Sequence, residues 1–242
     1  MEVKVTDTYE AMSDAAAALV IERIRQKPDC VLGLTAGSSP LGLYRRLRMA
    51  YEEGVIDFAR VRIFTLSEYI GLGADEPQSF AYYTRQNFCA GLNLAEENVR
   101  MPNGMAADIA RECREYGDAI EAAGGIDFMI LGIGPNAHIG FNEPGPSFVP
   151  ETHVVELSEA TRAANARFFD SPDDVPRWAV SMGMRDIMFA RRVLLLASGA
   201  GKTEALALAV SGDITPQAPA SVLQLHRGAC VIAEKTAARR IK

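Results

Sequence analysis

The chain has 242 residues, of which 48% are hydrophobic and 23% are charged, a composition that is ordinary for a globular protein. Its formal net charge of -6 argues against nucleic acid and anionic membrane surfaces as partners. The four cysteines lack metal-like spacing and no apolar run is long enough to span a membrane. We therefore expect no metal site and a reducing, cytoplasmic location.

Short apolar runs alternate with amphipathic segments along nearly the whole chain. The runs predict strands at residues 1–5, Val31–Thr35, Val61–Leu66, Ile126–Gly132, His153–Leu157, Val193–Ser198 and Ala229–Ala233. The amphipathic segments predict helices over Ala11–Gln26, Leu41–Glu52, Ser79–Cys89, Ala107–Ala122, Ser158–Phe168, Lys202–Val210 and Ala220–Leu225. Asp7 and Glu10 have the spacing of a capping box ahead of the first helix. The alternation indicates an α/β protein with a mainly parallel open sheet and helices on both faces, formed by one domain, residues 1–242.

The stretch Leu131–Pro144 is the strongest candidate for an active site. A buried strand ends in a glycine turn that presents Asn136, His138, Asn142 and Glu143 within eight residues. In open α/β sheets, binding and catalytic groups collect just beyond the carboxyl ends of the strands. His138 and Glu143 are interpreted as a base and its orienting carboxylate, the alternative being a loop histidine bonded only to backbone. His153 and His226 have no comparable polar neighbours in the sequence, and we interpret both as structural. Trp178 is interpreted as a packing residue.

Three glycine-containing turns are candidate anion sites. The turn Gly132–Ala137 formally matches a dinucleotide fingerprint, but the prolines that follow break the segment too soon for that reading. Ser198–Thr203 resembles the end of a P-loop, although Leu196 stands where its first glycine belongs. Glycines before a helix together with Lys202 still predict a phosphate or anion subsite. Gly37–Ser39 precedes another helix, and is either a phosphate-binding turn or a simple serine cap.

The run Gly-Ile-Gly-Pro-Asn-Ala-His-Ile-Gly-Phe-Asn-Glu-Pro-Gly at residues 132–145 resembles the signature of the glucosamine-6-phosphate deaminases, an aldose–ketose isomerase/deaminase family. The similarity covers essentially the full length and includes Leu34–Pro40, Leu66–Leu72, Pro77–Ser79, Ala164–Phe169 and Leu223–His226. The resemblance implies a Rossmann-like sheet and a hydrolase-class enzyme of amino-sugar metabolism. It would convert glucosamine 6-phosphate and water to fructose 6-phosphate and ammonia, without a cofactor.

The resemblance also implies roles for individual residues. His138 would promote opening of the pyranose ring, supported by Glu143 and by Asn136, a position where many family members carry aspartate. The substrate phosphate would be held by the turn residues and two cations, namely Gly37, Ser38, Ser39, Arg167 and Lys202. This assignment agrees with the anion sites inferred from the residues alone.

Position 67 departs from the family pattern. The family has Asp-Glu-Tyr there, and its aspartate is the base that moves a proton between C2 and C1 through an enolamine, whereas this chain has Ser67-Glu68-Tyr69. A serine hydroxyl is a poor base unless a neighbour activates it, and a well-placed base is worth about 10²–10⁴-fold in rate. Glu68 points to the opposite side of a continuing strand. Ser67 and Glu68 are both counted as catalytic candidates, and we expect impaired turnover.

Two other functions stay open. A sugar-phosphate-binding protein without turnover would keep the phosphate-binding residues and lose the base. A 6-phosphogluconolactonase-like hydrolase would share the Gly-x-Gly-Pro-x-x-His turn, although the Phe-Asn-Glu-Pro sequence after it favours the deaminase. We expect a phosphorylated amino sugar as the ligand, glucosamine or galactosamine 6-phosphate, and a monomer or small homo-oligomer. Longer members of the family that the chain resembles have a C-terminal extension and a basic effector pocket, whereas this chain ends at Lys242 and has His153 and Val155 near where those basic residues would be. We therefore expect no activation by N-acetylglucosamine 6-phosphate.

Overall fold

The computed structural model describes residues 1–241, so Lys242, the last residue of the predicted domain, lies outside the described residues. The strands are Glu2–Thr6 (β1), Val31–Leu34 (β2), Arg62–Thr65 (β3), Ser67–Tyr69 (β4), Val99–Arg100 (β5), Phe128–Gly132 (β6), His153–Glu156 (β7), Trp178–Ser181 (β8), Val193–Ala197 (β9) and Ala229–Glu234 (β10). The α-helices are Tyr9–Gln26 (α1), Leu41–Glu52 (α2), Phe80–Thr84 (α3), Ile109–Ala122 (α4), Glu159–Asn165 (α5), Met184–Met188 (α6) and Thr203–Ser211 (α7).

Seven strands form one parallel sheet in the order β1-β10-β9-β6-β2-β3-β5. Successive residues of a strand point to opposite faces. Leu32 and Ile130 therefore face a core shared with α1 and α2, whereas Val31 and Met129 face a second core shared with α4 and α7. Since both faces are covered, the inner strands are continuously apolar. The predicted α/β class, with a parallel sheet and helices on both faces, is confirmed.

Most predicted elements are present, and their ends follow local capping. Helix α1 begins at Tyr9 because the Thr8 hydroxyl accepts a hydrogen bond from the Ala11 N–H at 3.1 Å, so the capping box predicted from Asp7 is wrong. Ser158 caps α5 in the same way. The helix predicted over Ser79–Cys89 changes at Arg85 into a π-helical turn.

A second, antiparallel sheet in the order β4-β8-β7 was not predicted. The strand predicted over Val61–Leu66 ends at Thr65, and the chain then crosses from the parallel sheet to the small one. Leu66 joins the two sheets, since its N–H donates to the Leu34 carbonyl and its carbonyl accepts from the Met182 N–H. Trp178, interpreted as a packing residue, is 47% exposed on β8.

The strand order creates one topological switch point. From β2 the chain continues to β3 on one side, and after β6 it reaches β9 on the other side. Loops leaving adjacent strands in opposite directions open a crevice at the carboxyl ends of those strands, where open α/β sheets bind their ligands. The crevice lies between β2 and β6. Within residues 1–241, no helix has the length and apolarity needed to cross a membrane.

Candidate active site

A cavity of about 260 Å³ occupies the crevice at the switch point. Its walls come from the loops after β2, β6 and β9, from β4, and from α3 and the α5 region. Seven of the predicted site residues line it: Gly37, Ser38, Ser39, Ser67, His138, Arg167 and Lys202. The remaining three, Asn136, Glu143 and Glu68, do not line it. The fold thus converges groups that are up to 165 residues apart, from Gly37 to Lys202.

His138 is fixed by a tight turn directly after β6. The Gly134 N–H donates to the His138 carbonyl at 2.9 Å, and the His138 N–H donates to Asn136 Oδ1 at 3.2 Å. Ala137, between them, has a left-handed backbone with φ of 65°. The imidazole lies over Gly134, where a Cβ atom would stand 2.3 Å from Nε2. A side chain at position 134 would therefore displace the ring.

Behind His138, a hydrogen-bonded network holds Glu143. Glu143 Oε1 lies 3.5 Å from His138 Nδ1, and Thr161 Oγ1 lies 3.3 Å from the same nitrogen. The other carboxylate oxygen accepts from Asn136 Nδ2 at 2.7 Å and from the Ser158 hydroxyl at 3.0 Å. Burial acts to raise the pKa of Glu143, but the contacts with His138, Thr161 and Asn136 outweigh it, and the pKa falls below its ordinary value. The carboxylate stays charged at neutral pH and orients the imidazole.

Ser158 and Thr161 were not among the predicted site residues. Ser158 also caps α5 by accepting from the Thr161 N–H at 3.2 Å, so one hydroxyl orders both the helix and the carboxylate. A serine directly before a helix is a recognisable N-cap signal. The contact of Ser158 with Glu143, however, depends on the tertiary fold. Asn142 braces the turn instead of lining the cavity, because its Nδ2 donates to the Ile139 and Met182 carbonyls at 2.9 Å.

Part of the cavity lining is suited to an anion. Arg167 and Lys202 both line the cavity, and neither has a carboxylate ion-pair partner among residues 1–241. Burial lowers the pKa of Lys202, and the nearby Arg167 charge lowers it further. The Ser39 and Ser198 hydroxyls lie 3.1 Å apart and join the turns after β2 and β9. Two adjacent, unpaired cations favour a phosphate between them.

Ser67 and Glu68 point to different places. Ser67 is buried and lines the cavity. The Glu68 carboxylate instead accepts hydrogen bonds from the N–H groups of Tyr69, Phe80 and Ala81 at 2.8, 3.0 and 2.7 Å, and thereby caps α3. It borders a separate cavity of about 530 Å³ behind that helix. This placement does not support Glu68 as a catalytic candidate, because its oxygens are committed to the backbone.

The cavity lining has few side chains that can act as a base. Among the described residues that form it, none is an aspartate or glutamate. Burial raises the pKa values of Tyr69 and Tyr83 well above their ordinary value, so neither phenol is ionised at neutral pH. His138 is the one histidine on this lining among the described residues, and imidazole is the side chain most often used for proton transfer near neutral pH. Residues 1–241 also contain no group of three or more histidine, cysteine, aspartate or glutamate side chains placed to hold a metal ion.

Comparison with known proteins gives full-length similarity. A family model described as glucosamine-6-phosphate isomerases/6-phosphogluconolactonase matches residues 5–232. Glucosamine-6-phosphate deaminases from Thermoanaerobacter sp. (strain X514) and Clostridium botulinum (strain Loch Maree / Type A3) are 50% and 47% identical over 241 residues, covering 100% of this chain and 95% and 99% of theirs. A solved structure of a monomeric glucosamine-6-phosphate deaminase, 42% identical, superposes with a TM-score of 0.96 over 99% of both chains. The sequence comparisons and the structural comparison therefore identify the same family over nearly the whole chain.

Proposed function

The chain belongs to the family of glucosamine-6-phosphate isomerases and 6-phosphogluconolactonases, and we propose that it is a glucosamine-6-phosphate deaminase whose proton-transfer step is slowed by Ser67. The observation that carries the proposal is the composition of the cavity lining, which includes both His138, backed by Glu143, and two cations without carboxylate partners, Arg167 and Lys202. The net reaction takes up one water and releases ammonia and fructose 6-phosphate. That stoichiometry is the reason to class the enzyme as a hydrolase.

The first chemical step is ring opening, and we assign it to His138. The phosphate binds at Arg167, Lys202 and the Gly37–Ser39 turn, which directs the sugar ring towards the imidazole. As the C1–O5 bond breaks, O5 takes up a proton from His138 and the C1 hydroxyl releases its proton to solvent water, giving the open-chain aldehyde. Glu143 stabilises the protonated imidazole, because its charged oxygen lies 3.5 Å from Nδ1.

The second step moves a proton from C2 to C1 and needs a base beside these carbons. Its product is an enolamine that becomes a C2 imine, which water cleaves to the C2 ketone and ammonia. We assign the position of this base to Ser67, which is buried in the cavity wall. A neutral hydroxyl is a poor base, and loss of a well-placed base costs about 10²–10⁴-fold in rate. Ring opening is thus retained, and carbon-to-carbon proton transfer is slow.

One observation favours a second candidate, hydrolysis of a phosphorylated sugar lactone. That reaction needs a single base, and His138 is the one suitable base on the cavity lining among the described residues. His138 would take a proton from a water as the water oxygen attacks C1, and O5 would receive that proton as the C1–O5 bond breaks. The anion subsite would hold the phosphate in the same way.

The experiment that tests the proposal measures ammonia and fructose 6-phosphate released from glucosamine 6-phosphate, with galactosamine 6-phosphate and 6-phosphogluconolactone in parallel. We expect slow, equimolar release of both products. Lys202→Met should raise KM, whereas the matched change Lys235→Met, at a side chain that is 73% exposed, should not. Lactone hydrolysis without ammonia release would select the second candidate. Tight sugar-phosphate binding without any turnover would identify a non-catalytic binding protein.

We also propose the wider setting of this enzyme. The single domain proposed for residues 1–242 is supported within residues 1–241, because β1 near the start of this range pairs with β10 near its end. The widely spaced, unpaired cysteines fit a reducing cytoplasm. Similarity to a deaminase described as monomeric supports a monomer.

A further inference from the structure

Three tyrosine hydroxyls converge on the turn that follows β2. Tyr44 OH donates to the Thr35 carbonyl at 2.7 Å, Tyr83 OH donates to the Gly37 carbonyl at 2.6 Å, and Tyr9 OH donates to the Ser38 carbonyl at 2.9 Å. The tyrosines come from three different helices, α2, α3 and α1. Independent elements therefore hold the carbonyls of one short turn.

In contrast to its carbonyls, the backbone N–H groups of this turn have no hydrogen-bond partners among the described residues. These are the N–H groups of residues 36–39, and these residues line the cavity. Every peptide bond of the turn is trans, so each N–H points away from the carbonyl of its own peptide unit. Fixing the carbonyls of Thr35, Gly37 and Ser38 towards the tyrosines thus directs the N–H groups of Ala36, Ser38 and Ser39 away from them.

We infer that Tyr9, Tyr44 and Tyr83 are positioning residues that hold the carbonyls of residues 35–38 back, so that the amides of this turn are presented to the substrate phosphate. The inference rests on the proposed function, since the phosphate is the ligand that the cavity would present to them. Ser39 is buried, Ala36 and Gly37 are half-buried and Ser38 is exposed, so the N–H groups of this turn range from enclosed to open to the cavity and can take a ligand as acceptor. A phosphate oxygen, held also by Lys202 and Arg167, supplies the missing acceptor.

Tyr9 also couples the turn to the helix that follows it. Its hydroxyl accepts from the Gly42 N–H at 2.7 Å while donating to Ser38. One hydroxyl thus satisfies an otherwise unpaired N–H in the first turn of α2 and orients a peptide of the binding turn. Gly37 completes the arrangement, since its φ of 111° is accessible to glycine and strained for other residues.

The test titrates inorganic phosphate by calorimetry into the full chain, Tyr9→Phe, Tyr83→Phe and the double variant. Tyr82→Phe and Tyr51→Phe are matched controls, because neither hydroxyl makes a hydrogen bond within residues 1–241 and each lies on a helix of the tyrosine trio. We expect each single change at Tyr9 or Tyr83 to raise the phosphate Kd about threefold to tenfold, with larger loss in the double variant and no change in the controls.

The outcomes separate this inference from the proposed function. One outcome would overturn this inference and leave the proposed function standing. In it, the unchanged chain binds phosphate, Lys202→Met abolishes binding, and the tyrosine variants bind phosphate as well as the controls do. If the unchanged chain binds no phosphate, or Lys202→Met binds it equally, the anion subsite fails and the inference fails with it. A purely structural role would lower the melting temperature of Tyr83→Phe without changing its phosphate Kd at 25 °C, and that result would also overturn it.

Discussion

At the scale of single residues, the position of the His138 ring depends on Gly134. A Cβ atom at residue 134 would lie 2.3 Å from Nε2, and the ring must move because the surrounding turn is fixed by backbone hydrogen bonds. We expect Gly134→Ala to lower kcat at least about tenfold, since misplaced catalytic groups lose rate steeply. Gly145→Ala in the same loop is the control, because its Cβ would approach nothing closer than 3.7 Å. Equal activity of the two variants would contradict this account of the turn.

The Glu143 carboxylate gives a second prediction, about kcat. Its oxygen lies 3.5 Å from His138 Nδ1, so replacing the charge with an amide removes stabilisation of the protonated ring. Glu143→Gln should reduce kcat about 10–100-fold with little change in KM, because the phosphate subsite is untouched. Glu156→Gln, an exposed carboxylate on β7, should leave both constants unchanged. A selective rise in KM for Glu143→Gln would assign this residue to binding.

The lowered pKa of Glu143 leads to a prediction of how the folding stability of the chain depends on pH. The folded-state pKa of Glu143 lies below its ordinary value of 4.5, so its contribution is fully present above that value and is lost as pH falls through the lower, folded-state pKa. Melting temperatures measured from pH 7 down to pH 3 should therefore fall less steeply for Glu143→Gln than for the unchanged chain below pH 4.5. Parallel curves would show that the carboxylate is not stabilised by its network.

Local motifs located the Gly37–Ser39 turn, His138 and Lys202 in the cavity lining, whereas Arg167 was assigned only through the family resemblance. His138 and Lys202 each follow an apolar run and a glycine turn, a pattern that predicts groups at the carboxyl end of a strand. Thr161 could not be found in this way, since its contact with His138 spans 23 residues and depends on how α5 packs. The sequence placed Glu68 beside Ser67 without showing that its carboxylate caps α3.

At the scale of secondary-structure elements, Asp127 anchors the amino end of β6. Its carboxylate is buried, accepts from the Val31 N–H at 2.9 Å, and contacts Lys27 at 2.9 Å and Arg191 at 3.1 Å. Asp127→Asn should lower the free energy of unfolding by about 2–3 kcal/mol, because hydrogen bonds to a charged group are lost in a buried site. Urea unfolding measures this change.

The matched control for that prediction is Asp29→Asn. Asp29 contacts the same Lys27 at 3.5 Å, but its side chain is 48% exposed, and exposed ion pairs contribute little. No measurable change in unfolding is expected for this variant. Equal destabilisation by both substitutions would mean that burial of the Asp127 carboxylate is not what makes it important.

Helices and strands were predictable where burial produces a clear hydrophobic pattern in the sequence. They were missed where tertiary contacts determine whether the element forms. The strands β6 and β9 are long apolar runs, because helices cover both sheet faces. Strand β4 has only three residues and exists because β8 pairs with it, so no periodic pattern marks it. Helix α6 is likewise too short, at five residues, to show a helical repeat.

At the scale of the whole molecule, the proposal of a monomer can be tested directly. Sedimentation equilibrium at micromolar concentration should give a mass near the 26.2 kDa of one chain, with or without glucosamine 6-phosphate. We expect no cooperativity and no activation by N-acetylglucosamine 6-phosphate. A stable trimer or hexamer with sigmoidal kinetics would contradict both expectations.

The central claim is that this family scaffold retains ring opening and phosphate binding but lacks an effective base at position 67. The most direct measurement compares ammonia and fructose 6-phosphate release by the unchanged chain, Ser67→Asp and Ser67→Asn, after melting curves show that all three are folded. Asparagine matches the size of aspartate without its basicity. We predict a kcat gain of about 10²–10⁴-fold for Ser67→Asp and none for Ser67→Asn. Rapid turnover by the unchanged chain, with no gain from aspartate, would contradict the claim.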